Sequence, residues 1–426
     1  MAMEKTPGEL FAERTKRLED ASQLKIPDRV PVAPLDQGFF VKYGGRSWAE
    51  VMYDCEKAIA ASKKTITELN FDAYFVPSIP SPGQVYDILN FKQLRWPGAQ
   101  LEANRVGNTT YQFVEPGTGY ECMPAEDYDW FLDDPTDYII RRHWPRIAKA
   151  LESLKNLPPL HNVVGFWQFG TLLRAIGSPD IAGALEALVE AGREHLRIMQ
   201  SMGSFIEEMA NLGFPPLSLA GSMAPYDYFA DFLRGTNGSM VDMFRNPDKL
   251  KRAVEKVTPW MIQGGVDWAR VSSALSKRVV IPLHKSAGGL MSNAQFEEFF
   301  WPSLREVIIG IINEGFTPYV YTEGVFTDRL PIIRDVPRGK VVYHIESDIF
   351  KAKDILGDIA CLAGGPPGPM MNLASPDEVK DYCKNLLDVV GEGGGFIMDA
   401  ELPLVTAKPE NAKALAEFTQ EYGVYK

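Results

Sequence analysis

Cysteine is scarce in this sequence. Four residues in 426 (Cys55, Cys122, Cys361 and Cys383) stand far apart and form no C-x-x-C pair. That excludes a disulfide framework and a thiolate metal site, and it suits a reducing compartment. No apolar run approaches the roughly 20 residues that cross a bilayer. The opening stretch MAMEKTPGELFAERTKRLED carries charge where a signal peptide carries an apolar core. The expectation is a soluble, cytoplasmic protein with no membrane partner. Positive charge is also in deficit: 44 Lys and Arg against 56 Asp and Glu leave a net charge of −12, which argues against a nucleic-acid partner. No G-x-G-x-x-G follows the first expected strand and no phosphate-loop motif occurs, so a nucleotide fold lacks support. GGPPG (364–368) and GEGGG (391–395) read as turns.

What is present is a rhythm of short β-favouring runs and longer helical ones. In the second half the expected strands are 278–284, 317–323, 340–346, 359–365 and 394–401. Between them stand a helix over 292–315, with Ser292 and Gln295 at capping-box spacing, and one over 375–390 that starts Ser375-Pro376. Gly315 sits where a helix ends, and Pro302 should kink or split the helix it interrupts. The first half offers strands at 29–36, 71–78, 162–170 and 214–221. About eight strands alternating with helices point to a (β/α)8 TIM barrel, in the α/β class, rather than an open doubly wound sheet. The chain reads as one barrel domain over 1–426. Residues 100–160 break the rhythm and are expected to form an inserted subdomain or lid, a β-hairpin plus helix.

The stretch TPYVYTEG (317–324) runs as a core strand into a carboxylate, Glu323. Ionised carboxylates are seldom left at such a place without a partner. In a barrel the C-terminal strand ends converge on one mouth. The polar residues expected there are Asp36, Gln37, Ser78, Gln168, Ser222, His284, Lys285, Glu323, His344, Glu346, Asp399 and Glu401. Glu323, His344 and Glu401 end three of the expected strands and could together hold zinc, which accepts imidazole nitrogen and carboxylate oxygen. Each also has an ordinary reading: His344 as a satisfied core histidine, Glu346 as a helix cap, Glu401 as a loop residue. His284 or Lys285 could anchor an anion or pair with a carboxylate. Phe39, Phe166, Phe169 and Tyr226, with Gln168, lie near expected strand ends; aromatics at such spacing are more often core than pocket, but at the mouth they would give an apolar lining for a flat ligand.

From GSMAPYDYFADFLRG (221–235) to the C-terminus the sequence resembles the uroporphyrinogen decarboxylase-like superfamily. The segments that carry the likeness are GGLMSNAQFEEFFWPSLREVI, YTEG, AKDILGDIACLAGGPPG, ASPDEVKDYCKNLL and GGFIMDAELPLVTAKPENAKALAEF, about half of the chain. The resemblance implies a (β/α)8 barrel and either of two activities, porphyrinogen decarboxylation or zinc-dependent methyl transfer with a corrinoid protein. The decarboxylase branch carries an arginine-rich stretch after its first strand, where this chain has VPVAPLDQGFFVKYGG with one lysine and no arginine. Its late histidine falls near DAEL, which has none.

The methyltransferase branch holds zinc with an H-x-C-G motif and a later cysteine. YTEG takes the first place, setting Tyr321 at the histidine and Glu323 at the cysteine, and DAEL sets Glu401 at the later cysteine. His344 could supply the missing imidazole. Two carboxylates in place of two thiolates leave a harder Lewis acid, suited to an oxygen substrate. The activity so implied is O-demethylation, in an anaerobe: a methyl group moves from a small methoxylated, aromatic compound to the Co(I) corrinoid (cobalamin) of a partner protein. Tyr321 or His284 would donate a hydrogen bond to the substrate. A thiol or amine donor, a metal-free decarboxylase and a non-catalytic corrinoid-binding scaffold are the alternatives.

Overall fold

The structure is a computed structural model that describes residues 5–36, 38–76, 81–98, 100–102, 110–400 and 406–426. At its centre six parallel strands stand side by side in chain order: β1 (Ala220–Gly221), β2 (Arg278–Leu283), β3 (Thr317–Thr322), β4 (Val342–Ile345), β5 (Cys361–Gly364) and β6 (Phe396–Met398). Single backbone bridges carry the ring past both edges. Met398 N–H donates to the Pro31 carbonyl (2.9 Å) and Ala33 N–H to the Met398 carbonyl (3.0 Å). Asp72 N–H reaches the Val32 carbonyl (2.8 Å), and Leu217 N–H the Tyr74 carbonyl (2.7 Å). The stretches around Val32 and Tyr74 thus supply two further staves, and the one running from Pro216 into β1 pairs with β2. This is the (β/α)8 arrangement.

Alternation along the strands divides the core in two. Tyr319, Tyr321, Val342, Cys361, Ala363 and Ile397 meet Ala33, Leu35, Ala73 and Leu217 in one cluster, inside the ring. Their neighbours Val320, Tyr343, Ile345, Leu362, Phe396 and Met398 join the larger cluster formed with the helices. A side-chain period of two makes this division automatic once the strands are in register.

Ser292 and Gln295 form a capping box, and Gly315 takes φ +85° just past the helix end. Pro302 splits the intervening helix, as expected: a π-turn at Phe296–Phe300 precedes a helix Trp301–Asn313, with the proline in its first turn. Ser375 and Glu378 form a second capping box, on the helix Pro376–Val389. One expectation is overturned. Residues 162–170 contain no strand, since Phe166–Ile176 is a helix, α1, followed by the 33-residue α2 (Pro179–Asn211). α2 leads into the third stave, so it is the crossover helix that descends from the C-terminal to the N-terminal end of the ring.

A short antiparallel ribbon pairs Leu94–Arg95, before the 100–160 region, with Gln112–Phe113 inside it, and short helical turns follow between Asp127 and Asn156. Gln37 and Ser78 lie outside the described residues. Among the described residues no helix is long and apolar enough to cross a membrane.

Candidate functional site

The chemistry-bearing side chains gather where the strands end. His284 and Lys285 follow β2 directly, and Glu323 follows β3. Asp227 ends the turn Pro225–Asp227 after β1, and Asp231 lies in the π-turn Tyr228–Leu233 that continues it. Asp227 is fully buried and holds the β2 exit by its backbone, accepting from His284 N–H (2.9 Å) and Lys285 N–H (3.2 Å). Asp231 takes the side chains. Its Oδ2 is 2.5 Å from His284 Nδ1, and its Oδ1 is 3.4 Å from Lys285 Nζ. With Nδ1 engaged, the other ring nitrogen faces Glu323: Nε2 and Oε1 are 3.5 Å apart.

Two further groups adjoin this one. Lys285 Nζ is ion-paired with Glu115, which also accepts from the Thr236 hydroxyl (2.8 Å), so the stretch after the ribbon is tied to the mouth. On the other side Glu346 accepts from the Tyr321 hydroxyl (2.6 Å) and from Gly324 N–H (2.7 Å), which fixes the turn carrying Glu323. Asp348, not Glu346, caps the next helix. Gly324 has φ +78°, a conformation that favours glycine. His344, fully buried, stacks on Tyr321 with ring centres 4.1 Å apart. Its Nε2 meets the Ala400 carbonyl at 3.0 Å. Asp399 Oδ2 stands at the same distance but out of hydrogen-bonding line, and Nδ1 is buried without a partner.

The electrostatics follow from burial among carboxylates. Burial opposes charge on His284, but the hydrogen bond and charge of Asp231, with Glu323 and Asp227 behind, outweigh it and lift the imidazolium to about 9. Burial and the neighbouring Asp231 push Asp227 up to about 7. Glu323 is also held above the usual carboxylate range, by burial and by Glu346 and Asp231 against the pull of His284. Burial opposes charge on Lys285 too, and the Glu115 and Asp231 carboxylates outweigh it. Burial and the Glu346 acceptor drive the Tyr321 phenol far above its ordinary value.

The sequence-expected residues are therefore divided. Glu323 stands against His284, and His344 lies inside the ring against Ala400 and Asp399. Glu401 falls outside the described residues. Among the described residues, the group of three metal-ligating types with donor atoms within 4.8 Å of one another is Asp227, Asp231 and His284, not one containing Glu323 and His344. Phe39 and Tyr226 are core residues with no exposed surface, Tyr226 packing on Phe300 at 5.5 Å. Phe166, Gln168 and Phe169 sit on α1 with their side chains in solvent, because the segment is helical and is not a strand ending at the mouth. Asp227, Asp231 and Glu115 were not singled out from the sequence. The four-residue spacing in PYDYFAD, directly after an expected strand, was the available signal.

The Asp227, Asp231 and His284 group does not fit a metal of its own. Both Asp227 oxygens accept backbone N–H groups, Asp231 Oδ2 is taken by His284, and the Lys285 ammonium already stands beside Asp231 Oδ1. The donors left over are His284 Nε2 and the Glu323 carboxylate. Two ligands of one tetrahedral zinc, each bonded at about 2.0–2.1 Å, stand roughly 3.3 Å apart. The 3.5 Å between these two atoms matches that edge.

Among solved structures, a methyltransferase from Methanosarcina mazei aligns over 96% of this chain and 98% of its own, with a TM-score of 0.60 and 16% identity. That likeness is one of fold. No curated protein matches the chain. The profile of the family described as Uroporphyrinogen decarboxylase (URO-D) matches residues 198–422, more than half of the sequence and all of β1 to β6. With its parallel barrel and the ring of polar groups at one end, the chain belongs to the uroporphyrinogen decarboxylase family.

Proposed function

We propose that the chain is a methyltransferase that takes a methyl group from a small methoxylated compound, aromatic in the simplest case, and passes it to the Co(I) corrinoid of a partner protein. The Glu323–His284 pair carries this reading: a carboxylate and an imidazole at ligand spacing, with the imidazole oriented from behind by Asp231. Metal-binding histidines are commonly backed by a carboxylate in this way. Bound there, zinc would supply a hard Lewis acid for the ether oxygen, and the partner's corrinoid would accept the methyl group.

A second imidazole has its own support. His344 has spent Nε2 on the Ala400 carbonyl and keeps a buried, unpartnered Nδ1, which leaves that nitrogen as a candidate ligand. The other residues position and enclose. Glu346 holds the Glu323 turn, Tyr321 keeps its proton and donates it to Glu346, and the Lys285–Glu115 ion pair ties the stretch after the ribbon to the mouth, which suits a lid. A decarboxylase of polycarboxylates is disfavoured by the same geometry. Asp227, Asp231, Glu323 and Glu346 line the mouth against two cations, His284 and Lys285.

The test is the zinc content of the wild-type chain and of Glu323→Ala, His284→Ala and His344→Ala, followed by methyl transfer from a methoxylated aromatic compound to free cob(I)alamin. About one zinc per chain, lost in Glu323→Ala and in one of the histidine variants, supports the reading and names the imidazole. Transfer only from an amine or thiol donor would redirect it. A zinc-free protein that releases carbon dioxide from a small acid would overturn it.

A further inference from the structure

Helix α2 carries two apolar seams, and the barrel uses one. Ile181, Ala184, Ala191, Ile198, Met202 and Phe205 are buried. One position further round lies a second seam, Leu185, Val189, Gly192, Leu196, Met199 and Gly203, spaced alternately four and three residues apart. That spacing is the repeat with which helices pack against helices over a long contact. Leu185, at its start, is half-buried against the turns around Leu151, but among the described residues the rest of the seam is largely uncovered: Val189 is 53% exposed, Leu196 63% and Met199 39%. Beside it, at the same spacing, runs a row of exposed charges, Glu186, Glu190, Arg193 and Arg197.

We infer that this face of α2 pairs with the same face of a second copy of the chain, the two helices antiparallel about a two-fold axis beside Gly192. The charge row selects that occupant. Two acids precede the centre and two bases follow it, and both candidate pairs are centred between Ala191 and Gly192. An antiparallel copy therefore sets Glu186 opposite Arg197 and Glu190 opposite Arg193, each contact made twice, as a two-fold interface requires. Among the described residues Glu186, Glu190 and Arg193 have no ion pair within the chain, and Arg197 has only an exposed one with Glu194 three residues away, at 2.6 Å. Gly192 leaves room for close approach at the crossing.

The area is sufficient once α1 is counted. α1 has no buried residue, and its Phe166 and Trp167, 79% and 80% exposed, alone leave roughly 350 Å² of aromatic surface uncovered. Together with Val164, Phe169, Leu173 and the seam of α2, the uncovered apolar surface approaches the ~800 Å² per partner of a standard specific interface.

Sedimentation of the full chain at micromolar concentration tests the inference. The wild type is expected at twice its 47.5 kDa. Glu190→Arg and Arg193→Glu, prepared separately, should each sediment as folded monomers or associate at least tenfold more weakly, because each sets like charges against each other. Mixed in equal amounts they should form a one-to-one heterodimer, since every like-charge contact then becomes an opposite-charge one. Leu196→Glu should be monomeric with unchanged circular dichroism, and Phe244→Glu, exposed on another helix, should remain dimeric. A monomeric wild type, single variants that stay fully dimeric, or single variants that fail to recover on mixing would each overturn it. None of these readouts depends on the methyl-transfer reading.

Discussion

Asp36 ends the first stave with its carboxylate buried, and one oxygen accepts N–H groups from Gly38 (2.9 Å) and Phe40 (3.3 Å). Burial outweighs those bonds and raises its pKa to about 6. A carboxyl that is harder to ionise in the folded than in the unfolded chain lowers stability as pH rises from about 4 to about 6. Asp36→Asn, whose amide oxygen can keep both bonds, should therefore raise stability by about 2–3 kcal/mol at pH 7.5 and leave it unchanged near pH 4. Urea unfolding at the two pH values checks this. Asp231→Asn tests the support of the site instead. If zinc is held as proposed, its affinity should fall about 10–100-fold, measured by chelator competition, with the fold intact. An unchanged affinity would detach His284 from the metal. Glu323 was legible in the sequence because a strand running into a carboxylate is uncommon. Asp231 was not, because it acts from a π-turn after β1 and its meaning depends on a histidine 53 positions away.

Between elements, the closest approach that only glycine permits among the described residues is at Gly365, after β5. A Cβ there would stand 1.5 Å from the Asp399 carbonyl oxygen, which rigid backbone cannot accommodate. Gly365→Ala should cost several kcal/mol or prevent folding, because β5 and the exit of β6 must part. Gly289→Ala, at φ +97° with open space around it, should cost about 1 kcal/mol. Thermal unfolding of the pair distinguishes close approach from backbone conformation. Ser375→Ala, which removes the cap from the helix Pro376–Val389, should cost about 1 kcal/mol by the same measurement. The Ser292 capping box and the helix start at Ser375 were readable because a cap is a local bond between residues three apart. The segment 162–170 misled because a short apolar run has no period of its own, and Gly165 opens a helix where it looked like part of a strand.

For the molecule as a whole, the alternation of strands and helices made the barrel legible, since parallel strands with crossovers leave few topologies. The latch beneath the barrel could not be read. Val30 N–H donates to the Gly423 carbonyl (2.9 Å) and Tyr425 N–H to the Asp28 carbonyl (3.1 Å), bonds between residues almost 400 positions apart that no local pattern announces. Ending the chain at Tyr422 should lower stability by about 2–3 kcal/mol and Tm by a few degrees, seen by calorimetry, since it also removes the Tyr425 hydroxyl bond to the Gly391 carbonyl (2.7 Å). The descent of α2 along the barrel has a consequence for assembly. Two such helices laid antiparallel turn their barrels head to tail, so the dimer is a double-headed particle with one mouth opening at each pole. On the proposed methyl-transfer reading, two carrier proteins could then load at once without meeting, and each end would work independently of the other.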